Sequence, residues 1–143
     1  MNSGFHRIGF LGAGRTASAL APGMARAGYQ VVAVASRSFA SAQRLAGKLP
    51  GCDAVSGSSE LLARSDVVFL TLPDGSIPSV AAELPWRKGQ GAVHCSGALP
   101  VDVLAPAREH GTLIGGLHPL QTFAAPDSDA TLLRGSTFAV EGD

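Results

Sequence analysis

The chain has 143 residues, 45% of them hydrophobic and 15% charged, with 11 basic against 11 acidic side chains. These proportions exclude a disordered or fibrous chain and describe one globular unit, and a domain near 150 residues buries roughly 68–70% of its unfolded surface without needing disulfide or metal staples. Zero net charge removes the broad electrostatic footprint of nonspecific nucleic-acid binding, so no nucleic-acid partner is expected.

In chain order, Arg7 to Leu11 is short, apolar and ended by glycine, as a buried strand of a parallel sheet is. Gly12 and Gly14 open a helical stretch from Arg15 to Ala27, with Gly28 as its stop. Pro22, about two turns inside, removes a backbone donor at a typical cost of ~3 kcal/mol, so a kink or break near Pro22-Gly23 is expected. Gln30 to Ala35 is a second strand. A helix from Ser38 to Leu49 follows, with Ala42, Leu45, Ala46 and Leu49 at helical spacing and Pro50-Gly51 at its end. Next come a short strand at Asp53 to Val55, a helix from Ser59 to Arg64 and a strand from Val67 to Leu72. The rhythm continues with a helix from Ile77 to Leu84, a strand from Ala92 to Cys95, a helix from Val101 to His110 and a strand from Thr112 to Leu117. Ser136 to Glu141 adds a last strand of unread direction. Strands alternating with helices over short loops predict an α/β fold, a doubly wound and mostly parallel sheet with helices on both faces.

The longest apolar runs fall far short of the ~18 residues that span a bilayer, and Met1 to Arg7 opens no secretory segment, so no membrane association and a cytoplasmic location are expected. Cys52 and Cys95 are the only cysteines and lack any zinc spacing, which predicts reduced thiols with neither metal nor disulfide.

Gly12-Ala13-Gly14-Arg15-Thr16-Ala17 fits GxGxxA, placed directly after a predicted strand and at the mouth of a helix. Gly12 permits the tight turn, Gly14 lets the backbone approach a pyrophosphate, Ala17 lets the helix pack closely on the sheet, and the free amides at the helix start bind phosphate. NAD-binding sheets carry an acidic residue at the end of the second strand for the ribose hydroxyl, whereas an arginine there accommodates a 2′-phosphate. Here the strand ends Ala35-Ser36-Arg37-Ser38, which has a guanidinium and two hydroxyls and no carboxylate, and so predicts NADP over NAD. The alternative is a solvated Arg37 between serines that cap the next helix. Arg44, some two turns further, either adds charge to this site or is a solvent-facing helical arginine, the reading preferred here.

Ligands of open parallel sheets lie beyond the carboxyl ends of the strands. Leu72-Pro73-Asp74 follows the fourth strand and is expected to border the cofactor, with Asp74 capping the helix that begins near Ser76. His94 and Cys95 are adjacent on a strand and point to opposite faces, which removes a Cys-His nucleophile pair. Ser96, just beyond, either bonds the substrate or the nicotinamide carboxamide, or caps a turn. His118, fixed by Pro119 and near Gln121 and Thr122, either supplies the proton that hydride transfer to a carbonyl or imine requires or serves as a structural hydrogen-bonder.

With these segments the chain resembles the N-terminal Rossmann domains of the 6-phosphogluconate dehydrogenase-like superfamily, and most nearly the Rossmann-like NADP oxidoreductases that carry a helical C-terminal domain. The resemblance covers nearly the whole chain and rests most on His94-Cys95-Ser96-Gly97 and on Leu117-His118-Pro119-Leu120-Gln121-Thr122-Phe123. It implies hydride transfer between NADP(H), held across Gly12, Gly14 and Arg37, and a small-molecule substrate. His118-Pro119 is similar to the His-Pro segment of prephenate dehydrogenases, which implies a substrate-side role for His118. In these families a second, helical domain completes the substrate pocket and commonly the dimer. Residues 1–143 are therefore expected to be the dinucleotide-binding domain alone, with an apolar surface that favours a homo-oligomer. The lysine that several relatives use as acid or base has no counterpart, since Lys48 and Lys88 lie outside the expected site. Two other readings stay open: a module that binds NADP without chemistry, and an S-adenosylmethionine methyltransferase, against which Ser36-Arg37 argues.

Overall fold

The computed structural model describes residues 5–119 and 138–142. Its elements in chain order are β1 (Arg7–Leu11), α1 (Arg15–Arg26), β2 (Gln30–Ala35), α2 (Phe39–Ala46), β3 (Asp53–Ala54), α3 (Ser58–Arg64), β4 (Val67–Leu70), α4 (Ile77–Glu83), β5 (Gly91–His94), α5 (Ala105–Arg108), β6 (Leu113–Pro119) and β7 (Phe138–Gly142). The strands form one sheet in the order β3-β2-β1-β4-β5-β6-β7, parallel except for β7, which pairs antiparallel to β6. Chain order reverses between β1 and β4, and that switch point is where open α/β sheets bind their ligands.

The periodicities explain the layers. Ile8 and Phe10 of β1 face one way and join Ala17, Leu20 and Ala21 of α1 and Ala42, Leu45 and Ala46 of α2, each set spaced i, i+3, i+4. Phe10 stacks on Phe69, its register partner on β4, with ring centroids 5.2 Å apart; burying such a side chain contributes roughly 1.5–3 kcal/mol. The other face holds Leu61 and Leu62 of α3, Ile77 and Ala81 of α4 and Ala107 of α5. Gly9 lets α3 settle on β1, since a Cβ there would collide with Ser65 Oγ. Helices thus cover both faces, but over β4 to β7 the first face carries none among the described residues. It leaves an apolar hollow of about 390 Å³ lined by Phe5, Val67, Phe69, Val93, Leu117 and Val140.

Several boundaries differ from expectation. α1 runs unbroken through Pro22, held by the burial of Ala17 to Ala21, and ends in a Schellman turn in which Tyr29 and Gly28 donate to the carbonyls of Met24 and Ala25. β4 stops at Leu70 because Thr71 turns its hydroxyl onto the carbonyls of Leu11 and Gly12, at 3.1 and 2.8 Å. The helix expected from Val101 to His110 is a 3-10 turn, Val101–Leu104, followed by α5. Pro106, which lacks an amide, is tolerated only in a first turn, so the α-helix starts beside it. β6 extends to Pro119, so His118 lies within a strand, opposite Ala139 of β7. Gln121, Thr122, Ser136 and Thr137 lie outside the described residues.

Candidate functional site

The glycine turn sits at the switch point, and its two glycines meet different demands. Gly12 has φ +106°, its amide donates to Ala35 O at 2.8 Å, and a Cβ would strike Thr71 O; the chain's own packing requires glycine there. Gly14 has φ −86° and ψ −155°, open to any residue, and a Cβ would meet nothing within 4 Å. No described residue calls for glycine at this position. The bare backbone instead leaves a cradle at the N-terminus of a 12-residue helix whose first turn carries no acidic residue and no side-chain cap. The first internal bond runs from Ser18 N to Gly14 O, so the amides of Arg15, Thr16 and Ala17 have no partner within the helix. Ala13 packs against the core, Ala17 is fully buried against the sheet and Arg15 is exposed.

Beside this turn, β2 ends at Ala35, the register partner of Leu11. Ser38 takes the N-cap of α2, its Oγ accepting the amide of Ser41 at 3.2 Å, and Ser36 Oγ accepts the amide of Ser38 at 3.4 Å. The capping role expected as the alternative is therefore present, and it uses only acceptor capacity. Arg37 is exposed and has no hydrogen bond or ion pair among the described residues. Arg44 reaches back along α2 to Ser41 Oγ at 3.3 Å, and Ser41 Oγ donates to Ser38 Oγ at 3.1 Å. The side chain of a helical residue leans toward the helix start, which brings this second guanidinium toward the serines. The sequence offers Arg44 as an added charge only second to a surface role, and Ser41 gives no signal.

The loop after β4 runs through Leu72, partly buried against the core, and through exposed Pro73 and Asp74. The carboxylate cap expected of Asp74 is absent. Asp74 opens a 3-10 turn, Asp74–Ser76, its carbonyl oxygen accepts the Ile77 amide, and Ser76 stands at the N-cap of α4 without a side-chain bond. The turn starts three residues before α4, so backbone takes the role assigned to the side chain.

At the ends of β5 and β6 the ring nitrogens can be assigned from their partners. His94 is buried; its Nδ1 accepts the Ser96 amide at 3.1 Å, so Nε2 carries the proton and donates to Pro100 O at 3.2 Å. His94 thereby holds the 96–100 loop and has no atom left for a ligand. Cys95 points to the opposite face, and burial pushes its thiol up to about 12, which keeps it protonated and unreactive at neutral pH. Burial, then Asp53, likewise push Cys52 up to about 11. Ser96 Oγ accepts the amides of Ala98 and Leu99 at 3.1 and 3.2 Å, forming the turn foreseen as its alternative role, and keeps its own proton to donate.

His118 differs from His94. Cys95 O can only accept, so His118 Nδ1 donates to it at 3.1 Å and Nε2 is left without a partner among the described residues, able to accept a proton or, on the doubly protonated ring, to donate one. Nε2 lies over Gly97, where a Cβ would stand 2.5 Å from it, so the ring position requires glycine. His118, Ser96 and Gly97 line one cleft of about 180 Å³ together with Glu141 of β7. Glu141 had no motif to mark it. Among the described residues no three His, Cys, Asp or Glu side chains cluster as a metal site would, and no helix is long and apolar enough to cross a membrane.

The Rossmann-like domain profile matches residues 2–119. No curated protein matches the chain. Among solved structures the chain is similar to a Bacteroides fragilis protein described as an NADP oxidoreductase (TM-score 0.83, 24% identity, 99% of this chain and 53% of that one). It is also similar to a reductive aminase from Aspergillus terreus solved with NADPH and ethyl levulinate (TM-score 0.69, 19% identity, 86% and 43%). A third likeness is to 3-hydroxyisobutyrate dehydrogenase from Mycobacterium tuberculosis (TM-score 0.72, 22% identity, 97% and 47%). The chain spans about half the length of these proteins, and at these identities the likeness is one of fold. With its glycine turn at the switch point of the sheet and the match over residues 2–119, the chain belongs to the Rossmann-like domain family.

Proposed function

We propose that this chain is the NADP(H)-binding domain of an oxidoreductase that moves a hydride between NADP(H) and a small molecule. The observation that carries the reading is the pair Gly14 and Arg37, a cradle that a Cβ would fill and an exposed guanidinium without a partner among the described residues, at the ends of adjacent strands. The amides of Arg15, Thr16 and Ala17, with the positive end of α1, would hold the pyrophosphate behind Gly12, Ala13 and Gly14. Arg37 would pair with the 2′-phosphate, and the free hydroxyl protons of Ser36 and Ser38 would donate to it. Leu72, Pro73 and Asp74 would border the dinucleotide where β4 ends. When bound, NADPH supplies the hydride. His118 can give a proton from Nε2 to a reduced oxygen or nitrogen, or take one in the reverse direction, because Cys95 O fixes the ring through Nδ1. Ser96 would donate its remaining proton to the substrate or the nicotinamide carboxamide.

A sensing module would share the binding groups but have no use for the free Nε2, and His118 favours the catalytic reading. Self-association through the sheet face that no described helix covers is part of the proposal, since exposed Leu113 and Val140 stand beside it. The unpaired thiols are in keeping with a reducing cytoplasm.

Calorimetric titration of NADPH and NADH tests the cofactor assignment. Arg37→Ala removes a charge-assisted pair of about 1.5–3 kcal/mol, so NADPH should bind roughly ten- to a hundredfold more weakly while NADH changes little. Equal losses for both dinucleotides would contradict it.

A further inference from the structure

Among the described residues, the cleft beneath the 96–101 loop holds one carboxyl group to which hydride and proton transfer give no task. Glu141 sits opposite Gly116 in the β6–β7 ladder, and that glycine carries no side chain to cover it. Its Oε1 accepts the Val101 amide at 3.0 Å, which fixes the carboxylate at the start of the 101–104 turn. No arginine or lysine pairs with Glu141 among the described residues, and none lines the cleft. The other polar side chains among its described lining are His94, with both nitrogens bonded, Ser96, which accepts two amides, and His118, which offers Nε2. Among the described residues the cleft therefore carries the carboxylate of Glu141, an exposed residue held in place by the Val101 amide, and no basic side chain. A substrate carboxylate would meet like charge, whereas a protonated nitrogen would meet a partner, and the difference grows as a ligand excludes water.

We propose that Glu141 is a substrate-binding residue that selects a cationic nitrogen, so that the substrates of this site are imines and their amine products rather than keto and hydroxy acids. The proposal rests on the NADP(H) oxidoreductase reading. In the step it implies, the imine nitrogen takes the Nε2 proton of the doubly protonated His118 ring, which returns to the neutral Nδ1–H form and is reprotonated from solvent, and the iminium carbon accepts a hydride from NADPH. The C=N π pair becomes the nitrogen lone pair, and amine and NADP⁺ are released. Glu141 holds the positive charge on nitrogen before the hydride arrives.

The test uses an isosteric pair, cyclohexylammonium and cyclohexanecarboxylate, titrated into the NADP⁺-loaded chain and followed by NMR at the His118 ring protons. The ammonium should bind at least tenfold more tightly. Glu141→Gln keeps an oxygen for the Val101 amide, so it should abolish the preference while leaving the melting temperature and NADP⁺ affinity unchanged. Equal or tighter binding of the carboxylate, a preference that persists in Glu141→Gln, or no response of His118 to the ammonium would overturn the proposal. Failure of NADP⁺ to bind in the first arm would sink the cofactor reading instead, and the charge preference is then read on the unloaded chain.

Discussion

At the amino ends of the strands, Gln90 donates from Nε2 to the carbonyls of Leu62 and Ser65 at 2.8 and 2.9 Å and accepts the Arg87 amide at 3.1 Å. Arg87 reaches the same two carbonyls, Thr112 bonds Arg87 O, and Asp66 takes the amides of His6 and Arg7 as well as the Arg7 guanidinium. At the carboxyl ends, Arg37 has no partner among the described residues, Gly14 leaves the start of α1 uncapped, and His118 keeps a free Nε2. One end of the sheet closes its polar groups on one another and the other leaves them open. Buried polar atoms are costly without partners, and none is left so among the described residues. The open groups are therefore confined to the rim, where a ligand can complete them. The closed end ties loops to the sheet, and the open end is where chemistry can be placed.

Gly12 belongs to both halves of this contrast, so Gly12→Ala should have the largest effect. A left-handed backbone and a collision with Thr71 O should together cost about 2–4 kcal/mol and abolish dinucleotide binding. Thermal unfolding and calorimetry would read both, and a stable variant that still binds NADPH would break the reading of the turn. Gln90→Ala acts on the closed end alone. Loss of a buried amide with three bonds should cost about 2–3 kcal/mol in denaturant unfolding with NADPH affinity unchanged, and a change confined to affinity would reverse the contrast.

The smallest effect concerns Asp66. Burial pushes its carboxyl up, but hydrogen bonds from the Arg7 side chain and from the amides of Arg7 and His6 outweigh it and hold the group below the usual carboxylate range. A folded-state value below the unfolded one stabilises the chain above the unfolded value, about 3.9, and that stabilisation is lost as pH falls through the depressed value. Asp66→Asn should cost about 1 kcal/mol at neutral pH and flatten the acid limb of the stability profile. An unchanged acid limb would remove Asp66 from the set of groups that hold the closed end.

The sequence makes the open end more legible than the closed one. GxGxxA and Ser36-Arg37-Ser38 are contiguous and carry backbone and charge requirements that hold wherever the strands are placed. The closed end is assembled from Arg7, Leu62, Asp66, Arg87 and Thr112, whose bonds go largely to backbone carbonyls and leave no residue pattern. His118 was legible as a histidine near a strand end, but its tautomer depends on Cys95 O and its place within β6 on pairing with β7. Pro106 shows the reverse, since its missing amide marks the split helix and helical spacing alone concealed it. Gly9 and Gly97 look like ordinary turn or strand glycines until Ser65 and His118 are seen against them.

Gly14→Ala separates the two ends most directly, because the position has ordinary dihedrals and empty space around it. Its stability should stay within about 1 kcal/mol of the wild type, since alanine fits the backbone and loses little beyond a weak N-cap preference. NADPH affinity, measured by calorimetry on the same sample, should fall at least tenfold as the new methyl occupies the phosphate cradle. Retained NADPH affinity with an unchanged melting temperature would mean that the start of α1 does not hold the dinucleotide.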